Sequence, residues 1–345
     1  MRIVDLRSDT VTRPTPAMRE AMYRAEVGDD VFGEDPTVNR LEELAASRLG
    51  KEAALFVASG TMGNLVALLT HCGRGDEAIV GDRSHTYLFE QGGMAALGGI
   101  VPHPIPNQPD GTLRLEDIEQ AIREDNVHFP RTRLLCLENT HNMCNGMPLS
   151  AEYTAQVVRL AHSRGLKVHL DGARIFNAAT ALGVEVQELT REVDSVMFCL
   201  SKGLCAPVGS LLCGDRSFIA EARRARKVVG GGMRQAGVLA AAGIVALEQM
   251  TGRLGEDHAR ARRLAEGLAE LPGVMVAPVA TNIVYFWLEG EQATRTPEAV
   301  VHALAERGVL VLGRELGRFR AVTHYWIGDE DIEYALAVVR EVILS

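Results

Sequence analysis

Short apolar runs alternate with amphipathic helical patterns between about residues 40 and 214, and this alternation limits the fold more than any other feature of the sequence. Near-continuous apolar runs are typical of strands in a parallel sheet whose two faces are both covered by helices. The pattern predicts strands over 53–59, 77–80, 99–105, 133–139, 167–171, 194–200 and 209–214. It predicts helices among them over 39–50, 61–71, 115–125 and 150–165. In such α/β sheets, ligands bind beyond the carboxyl ends of the strands.

The sequence changes character after about residue 230, where long Ala-, Leu- and Arg-rich helical patterns begin. The predicted elements are helices over 234–251, 253–271 and 329–344, and strands over 281–289, 308–313 and 318–324. This order is typical of a smaller α+β unit. We therefore predict a large domain over residues 1–248, whose first residues contribute to the site, and a small C-terminal domain over 249–345.

The composition argues against several classes of function. A net charge of −9 argues against a nucleic-acid-binding protein, because such a protein needs a basic face. The six cysteines form no CxxC pair and no zinc-site spacing, which predicts reduced thiols and no metal site. The charged first residues lack the apolar stretch of a signal peptide, and no apolar run is long enough to cross a bilayer. We expect a cytoplasmic protein that acts on a small molecule, without nucleic-acid or membrane partners.

Two charged residues and one glycine-containing turn follow three of the predicted strands. Asp171 ends the run at 167–171, and Lys202 follows the run at 194–200. The turn SGTMGN (59–64) opens a helix, where free N–H groups can bind a phosphate. A lysine amine, a carboxylate that keeps a ring nitrogen protonated, and a phosphate cup are what pyridoxal 5′-phosphate (PLP) requires. The order of these features therefore indicates a PLP site.

Each of these features also has a simpler interpretation. Lys202 alone is typical of a solvated loop, and the turn at 59–64 alone is typical of any strand–helix connection. Asp171 and Arg174 alone are as consistent with a local salt bridge at a helix start. Only the combination favours the cofactor.

Seven stretches carry a resemblance to a known family. They are DLRSDTVTRPT (5–15), VGDDVFGEDPT (27–37), FVASGTMGN (56–64), ENTHN (138–142), HLDGARIFNA (169–178), MFCLSKGLCAPVGS (197–210) and GGGMRQAG (230–237). In these stretches the chain resembles the low-specificity L-threonine aldolases, which belong to the aspartate-aminotransferase-like (fold type I) PLP superfamily. The resemblance implies an α/β large domain with a mostly parallel seven-stranded sheet flanked by helices, and a smaller α+β C-terminal domain.

The resemblance also implies roles for individual residues, which we state as expectations. Lys202 would bind PLP covalently, and Asp171 would pair with the pyridine nitrogen. His85 would stack on the cofactor ring as a catalytic residue. The expected phosphate ligands are Gly60 and Thr61, with Arg234 reaching in from a neighbouring subunit.

The remaining expected roles concern the substrate. Ser8 and Arg320 would bind the amino-acid carboxylate, while Arg174 would contact the phenolic oxygen of the ring and help to bind the substrate. His128 would contact the β-hydroxyl group. The chain departs from many relatives in two places, with Phe32 where tyrosine is frequent and Asn145–Gly146 where a Gly–Gly pair is frequent.

The expected reaction is retro-aldol cleavage of L-threonine, L-allo-threonine and related β-hydroxy-α-amino acids to glycine and an aldehyde. It would place the protein in threonine catabolism and glycine biosynthesis. The general base stays open between His85 and an ordered water. β-Elimination and transamination would use the same cofactor residues, and a non-catalytic binding protein is a third alternative. We expect a homotetramer, a dimer of dimers with active sites at the dimer interface.

Overall fold

The computed structural model of the protein describes residues 2–313 and 317–344, and it contains thirteen strands in this part of the chain. They are β1 (Val4–Asp5), β2 (Ala53–Val57), β3 (Glu77–Gly81), β4 (Val101–Ile105), β5 (Thr132–Glu138), β6 (Lys167–Asp171), β7 (Ser195–Cys199), β8 (Ser210–Gly214), β9 (Val274–Val276), β10 (Ile283–Leu288), β11 (Val309–Leu310), β12 (Leu312–Gly313) and β13 (Arg318–Val322).

Fourteen α-helices accompany them in the described residues. They are α1 (Pro16–Tyr23), α2 (Pro36–Leu49), α3 (Gly60–His71), α4 (His85–Leu88), α5 (Gly93–Ala96), α6 (Leu115–Ala121), α7 (Ala151–Ser163), α8 (Ile175–Leu182), α9 (Val186–Thr190), α10 (Arg216–Val228), α11 (Gly237–Val245), α12 (Leu254–Ala269), α13 (Pro297–Glu306) and α14 (Asp329–Leu344). No helix in these ranges is both long and apolar enough to span a bilayer.

The main sheet has seven strands in the order β2-β8-β7-β6-β5-β3-β4. Strands β4, β3, β5, β6 and β7 pair in parallel, whereas β8 is antiparallel to both of its neighbours. The structure thus confirms the mostly parallel seven-stranded sheet. All seven apolar runs predicted to be strands in this part of the chain form strands of this sheet.

Alternate residues along one strand reach different layers of helices, because successive side chains of a strand point to opposite faces. In β2, Phe56 belongs to the core shared with α2 and α11, while Leu55 and Val57 belong to the core beneath α3 and α10. In β7, Phe198 and Met197 divide in the same way. Both faces of the sheet are therefore buried, which explains why the strands are almost uniformly apolar.

A second core lies in the C-terminal part of the chain. Four antiparallel strands in the order β12-β13-β10-β9 pack with α12, α13 and α14 around residues such as Phe286 and Phe319. The chain also begins on this core, because β1 pairs in parallel with β11 and places Val4 and Leu6 in it. The division of the chain at residue 248 stays a prediction.

The departure at Asn145–Gly146 forms a tight turn. The N–H of Met147 donates to the carbonyl of Cys144 (3.0 Å), and both central residues have positive φ, 58° for Asn145 and 68° for Gly146. Asparagine tolerates this left-handed conformation better than most residues. A second glycine is therefore not needed for the chain to turn here.

Candidate active site

Residues that follow the carboxyl ends of five strands meet at one edge of the main sheet. Gly60 begins α3 after β2, and His85 begins α4 after β3. Glu138 and Asp171 end β5 and β6, and Lys202 lies in the loop after β7. The sequence placed four of these five residues at the site, and the parallel order of the strands brings them to one edge.

Asp171 is buried with only 2% of its surface exposed. Its Oδ1 accepts a hydrogen bond from the backbone N–H of Ala173 (3.0 Å), and its Oδ2 accepts one from Nδ2 of Asn64 (2.9 Å). Within residues 2–313 and 317–344, no cationic side chain forms a salt bridge with it. A buried carboxylate without a cation is costly. The site therefore fits a ligand that brings a positive charge to Asp171, as the protonated pyridine nitrogen of PLP does.

Lys202 lies in a small cleft lined also by Ala173, Arg174 and Cys199. Its backbone carbonyl accepts a hydrogen bond from the Thr12 hydroxyl (2.8 Å), so the N-terminal segment holds the lysine loop in place. Among the described residues, its amine has neither a hydrogen bond nor a salt bridge. An unengaged amine in the strand-end cleft suits covalent attachment of a carbonyl group.

The first turn of α3 contains the two residues expected to bind the phosphate. Gly60 and Thr61 are its first residues, and the Ser59 hydroxyl caps the helix by accepting a hydrogen bond from Met62 N (3.1 Å). The first N–H groups of a helix have no acceptor within it, and the helix dipole favours an anion there. A Cβ atom at position 60 would lie 2.9 Å from Cys199 Sγ, so only glycine lets α3 start this close to β7.

His85 is held from two sides at this edge. Its backbone N–H donates to Glu138 Oε2 (2.6 Å), and its Nδ1 lies 2.9 Å from Glu90 Oε1. Burial opposes the charged ring, but the hydrogen bond to Glu90 and the charge of Asp171 outweigh burial, so the pKa of His85 is raised above its ordinary value. Burial, together with the charge of Asp171, also raises the pKa of Glu90.

The side-chain ligand atoms of His85, Glu90 and Asp171 lie within 4.8 Å of one another, a separation that a metal ion could bridge. However, the Nδ2 group of Asn64 points its hydrogens at both carboxylates. A cation between them would face these hydrogens, so the arrangement disfavours a metal here.

Arg174 forms a buried salt bridge that the sequence did not predict. Its Nε and Nη2 donate to the two oxygens of Asp9 at 2.7 and 2.6 Å, although the residues are 165 positions apart. Burial opposes ionisation, but the Arg174 charge holds the pKa of Asp9 well below its usual range. The charges of Lys202 and Arg320 lower the pKa of Asp9 further. Arg174 therefore pairs with Asp9 and not with Asp171, contrary to the simpler interpretation of that stretch.

Arg320 on β13 is oriented by two neutral acceptors. Its Nη1 donates to Asn142 Oδ1 (2.8 Å), and its Nη2 donates to the carbonyl of Arg7 (3.2 Å), the residue next to Ser8. Glu138 in turn accepts a hydrogen bond from Asn142 N (2.8 Å). The Ser8 hydroxyl caps a short 3₁₀ turn by accepting from Thr10 N (3.3 Å). Ser8 and Arg320 are thus brought close together.

Two expected site residues do not join the cluster within one chain. Arg234 is 52% exposed and pairs with Asp29 on the surface (2.9 Å). His128 is exposed in the loop before β5, at the amino end of that strand and therefore at the opposite edge from Glu138. Phe32 is also on the surface, with 73% exposure.

Sequence reasoning missed five residues of the site, namely Asp9, Asn64, Glu90, Glu138 and Asn142. Four of them lie in stretches that carried the resemblance, but their residue types alone assigned no role. One usable signal was the helical spacing from Gly60 to Asn64, which places Asn64 one turn into α3 and facing the sheet.

The family of the chain follows from comparison with known proteins. Residues 5–291 match the beta-eliminating lyase family, and the chain belongs to this family. Its relatives include low-specificity L-threonine aldolase 1 of Arabidopsis thaliana, 50% identical over 350 residues that cover 100% of this chain and 98% of that protein. The low specificity L-threonine aldolase of Escherichia coli (strain K12) is also 50% identical, over 96% of each chain. The resemblance stated from the motifs is thus confirmed.

Solved structures support the fold. Threonine aldolase of Leishmania major superposes with a TM-score of 0.83 at 21% identity, over 98% of this chain and 99% of that one. A structure of SPT with its PLP internal aldimine superposes with a TM-score of 0.76 at 20% identity, over 99% of this chain and 87% of that one. The fold type I architecture is therefore confirmed.

Proposed function

We propose that this chain is a PLP-dependent aldehyde-lyase that cleaves L-threonine, L-allo-threonine and related β-hydroxy-α-amino acids to glycine and an aldehyde. The observation that carries the proposal concerns Asp171 and Lys202, which lie at the ends of the adjacent strands β6 and β7. Among the described residues, Asp171 is buried without a salt bridge, and the amine of Lys202 has neither a hydrogen bond nor a salt bridge. The identity of 50% to enzymes named low-specificity L-threonine aldolases selects this reaction among those of the family.

Five residues of this chain, besides Arg174, would hold the cofactor. Lys202 would bind its aldehyde carbon, Asp171 would keep its ring nitrogen protonated, and Gly60 and Thr61 would bind its phosphate at the start of α3. His85 would lie against the ring. When bound, PLP supplies an electron sink for the electron pair that remains on Cα after the Cα–Cβ bond breaks.

The substrate carboxylate binds to Arg320 and Ser8. Asn142 and the carbonyl of Arg7 hold the guanidinium of Arg320 in one orientation. The substrate carboxylate that binds this guanidinium is therefore held in place, and this limits how the substrate can rotate at Cα. With the cofactor bound, this rotation would decide which bond of Cα is cleaved. Arg174, whose guanidinium is held by both carboxylate oxygens of Asp9, would contact the substrate and the phenolic oxygen of the cofactor.

His85 removes the proton of the β-hydroxyl group, either directly or through an ordered water. Its Nδ1 is occupied by Glu90, which leaves Nε2 to face the substrate. As the aldehyde leaves, the proton moves to His85 or to the water, and reprotonation of Cα then gives glycine. His85 must be neutral to accept the proton, so its raised pKa makes turnover increase as the pH rises through that pKa.

We also propose a homotetramer, a dimer of dimers with each active site at a dimer interface. Arg234 and His128 lie on the surface of the single chain, and in this proposal a second copy of the chain brings Arg234 to the phosphate site. Exposed Phe32 and Tyr23 supply apolar surface for such contacts. We place the enzyme in the cytoplasm, where it acts in threonine catabolism and glycine biosynthesis, because its six cysteines are all free thiols.

Product analysis tests the reaction. The purified protein is incubated with L-threonine and, separately, with L-allo-threonine, and acetaldehyde, glycine, ammonia and 2-oxobutanoate are measured. We expect equal amounts of acetaldehyde and glycine without a keto-acid acceptor. Ammonia with 2-oxobutanoate would instead establish β-elimination, and a requirement for a keto acid would establish transamination.

Borohydride reduction followed by peptide mapping tests the cofactor assignment. We expect the reduced label on Lys202 alone, and Lys202→Ala serves as the control that should take up no label. A protein that takes up no PLP would be the non-catalytic alternative. A label on a different lysine would overturn the role of Lys202.

A further inference from the structure

A chain of hydrogen-bonded polar side chains begins at the buried Asp171 and ends at the partly exposed His71. Asn64 is fully buried and donates one Nδ2 hydrogen bond to Asp171 Oδ2 (2.9 Å) and another to Glu90 Oε1 (2.8 Å). The Oδ1 atom of Asn64 lies 3.0 Å from Nε2 of His169, which shares a face of β6 with Asp171. One amide thus touches both the carboxylate proposed for the ring nitrogen and the carboxylate that holds His85.

The proton positions at Asn64 follow from which atoms can donate. Two carboxylates only accept hydrogen bonds, so the NH₂ group of Asn64 faces them and its oxygen faces His169. Nε2 of His169 therefore carries a proton. Complete burial lowers the pKa of His169 to about 3, so the ring is neutral and its Nδ1 is an acceptor.

Ser195 and His71 continue the chain. The Ser195 hydroxyl lies 2.8 Å from Nδ1 of His169 and uses its single hydrogen to donate a hydrogen bond to that nitrogen. The same oxygen lies 2.8 Å from Nε2 of His71 and must accept a hydrogen bond from it. Burial lowers the pKa of His71 to about 4, so this ring is neutral as well. Every hydrogen bond in the chain then points toward Asn64, and the chain carries no net charge.

A hydrogen-bond chain that is neutral and donates in one direction can hold the carboxylate of Asp171 without neutralising the charge with which it binds a cation. An arginine or lysine beside Asp171 would compete with the protonated ring nitrogen, whereas an amide holds the carboxylate and leaves its negative charge available. Rotation of the amide by half a turn would place its oxygen against two carboxylates and its NH₂ against the N–H of His169. A His169 ring protonated at Nε2 therefore favours the same orientation of Asn64 as the two carboxylates do.

We propose that Asn64 is a positioning residue that holds Asp171 and Glu90 in the arrangement that binds the cofactor ring, and that the His169–Ser195–His71 chain sets its orientation. This inference rests on the proposed function, since it concerns the carboxylate that would meet the pyridine nitrogen. It assigns no step of the reaction to these residues.

Two matched substitutions of His169 test the proposal. In His169→Gln, the long amide places an N–H near the position of Nε2 and still donates to Asn64. In His169→Asn, the short amide reaches Ser195 but not Asn64. We measure the dissociation constant of PLP from each apoprotein, together with its thermal unfolding temperature. We expect His169→Gln to stay within about threefold of the unsubstituted protein and His169→Asn to bind PLP about tenfold more weakly.

Several outcomes distinguish the explanations. Equal PLP affinity in the two variants, whether or not it differs from that of the unsubstituted protein, would overturn the proposal. Equal loss of unfolding temperature with equal PLP affinity would mean that His169 only supports the fold. If the unsubstituted protein does not bind PLP, the proposed function fails and not this inference alone.

Ring ¹⁵N NMR of the apoprotein gives a second readout, independent of PLP and of activity. We expect a neutral His169 protonated at Nε2 at pH 6, and a ring protonated at Nδ1 or at both nitrogens would contradict the assignment. Ser195→Ala, a nearly isosteric change, serves if His169→Asn does not fold. It removes the proton donor to Nδ1, so we expect part of His169 to shift to the Nδ1-protonated form and PLP to bind more weakly. If the ¹⁵N spectrum of the His169 ring is unchanged in Ser195→Ala, the proposed hydrogen-bond chain is contradicted.

Discussion

Asp30 and Asp171 are both carboxylates with 2% exposure, yet of the two only Asp30 forms a salt bridge within the part of the chain that the structure describes. Asp30 accepts a 2.6 Å hydrogen bond from Arg226, which also donates to the carbonyl of Phe56 (2.7 Å). Asp171 receives hydrogen bonds only from an amide and a backbone N–H among the described residues. A buried charge whose partner lies in the chain supports the fold, whereas one left with neutral donors indicates a partner from outside.

Asp171→Asn gives the largest expected effect. We expect turnover of L-threonine to fall about 10²–10³-fold, because the variant can no longer hold the ring nitrogen protonated. The free energy of unfolding of the apoprotein should stay the same or rise, since the change removes a buried charge that has no salt bridge among the described residues. Activity assays and urea unfolding of the apoprotein measure the two effects. A large loss of apoprotein stability would show that Asp171 serves the fold as Asp30 does.

Asp30→Asn is the matched change on the other side of the comparison. Removing one partner of a buried pair leaves Arg226 uncompensated, so we expect a loss of about 3–5 kcal/mol in the free energy of unfolding. Turnover of the protein that remains folded should fall far less than in Asp171→Asn. A variant as stable as the unsubstituted protein would remove the contrast between the two carboxylates.

The same comparison can be made between two arginines. Arg226 donates to the carboxylate of Asp30, whereas Arg320 donates to the amide oxygen of Asn142, which Asn142→Ala removes. Loss of that acceptor should leave Arg320 poorly oriented and raise the KM for L-threonine about tenfold, with a smaller change in kcat. Steady-state kinetics measure both constants. A change in kcat alone would place Asn142 in the chemical step instead.

Glu90→Gln is expected to have the smallest effect, on the titration of His85. Without the Glu90 charge the pKa of His85 should fall, as ¹H NMR of the apoprotein can measure. Because the pKa of folded His85 is raised, its contribution to stability is full below the unfolded value of about 6.5 and is lost as the pH rises through the folded value. The stability difference between the unsubstituted protein and Glu90→Gln should therefore shrink as the pH rises, and a difference that grows would contradict the assignment.

Much of the fold was predictable because its determinants are local. The run at 167–171 became β6 without change, and the run at 53–59 became β2 over Ala53–Val57. The helical pattern over 234–251 was only partly correct, since α11 ends at Val245 and a π-helical turn follows over Ala246–Met250. Periodicity marks which residues are helical, but it does not show a change in the helical hydrogen-bond pattern.

The site was predictable to a lesser degree. Asp171 and Lys202 were found because the end of a buried strand is visible in the sequence. The partners of Arg174 and Arg320 were not found, because Asp9 is 165 positions from Arg174, and Asn142 is 178 positions from Arg320. No periodic pattern links residues at such separations.

The sequence by itself determined the parallel sheet, the strand ends where Asp171 and Lys202 lie, and the helix start at Gly60, since each depends on a few consecutive residues. The tertiary structure alone decided which charges are paired. Arg226 forms a salt bridge with Asp30 and Arg174 forms one with Asp9, whereas Asp171 accepts a hydrogen bond from the amide of Asn64. Whether a buried charge is compensated depends on what packs around it, and that packing is set by contacts between distant parts of the chain.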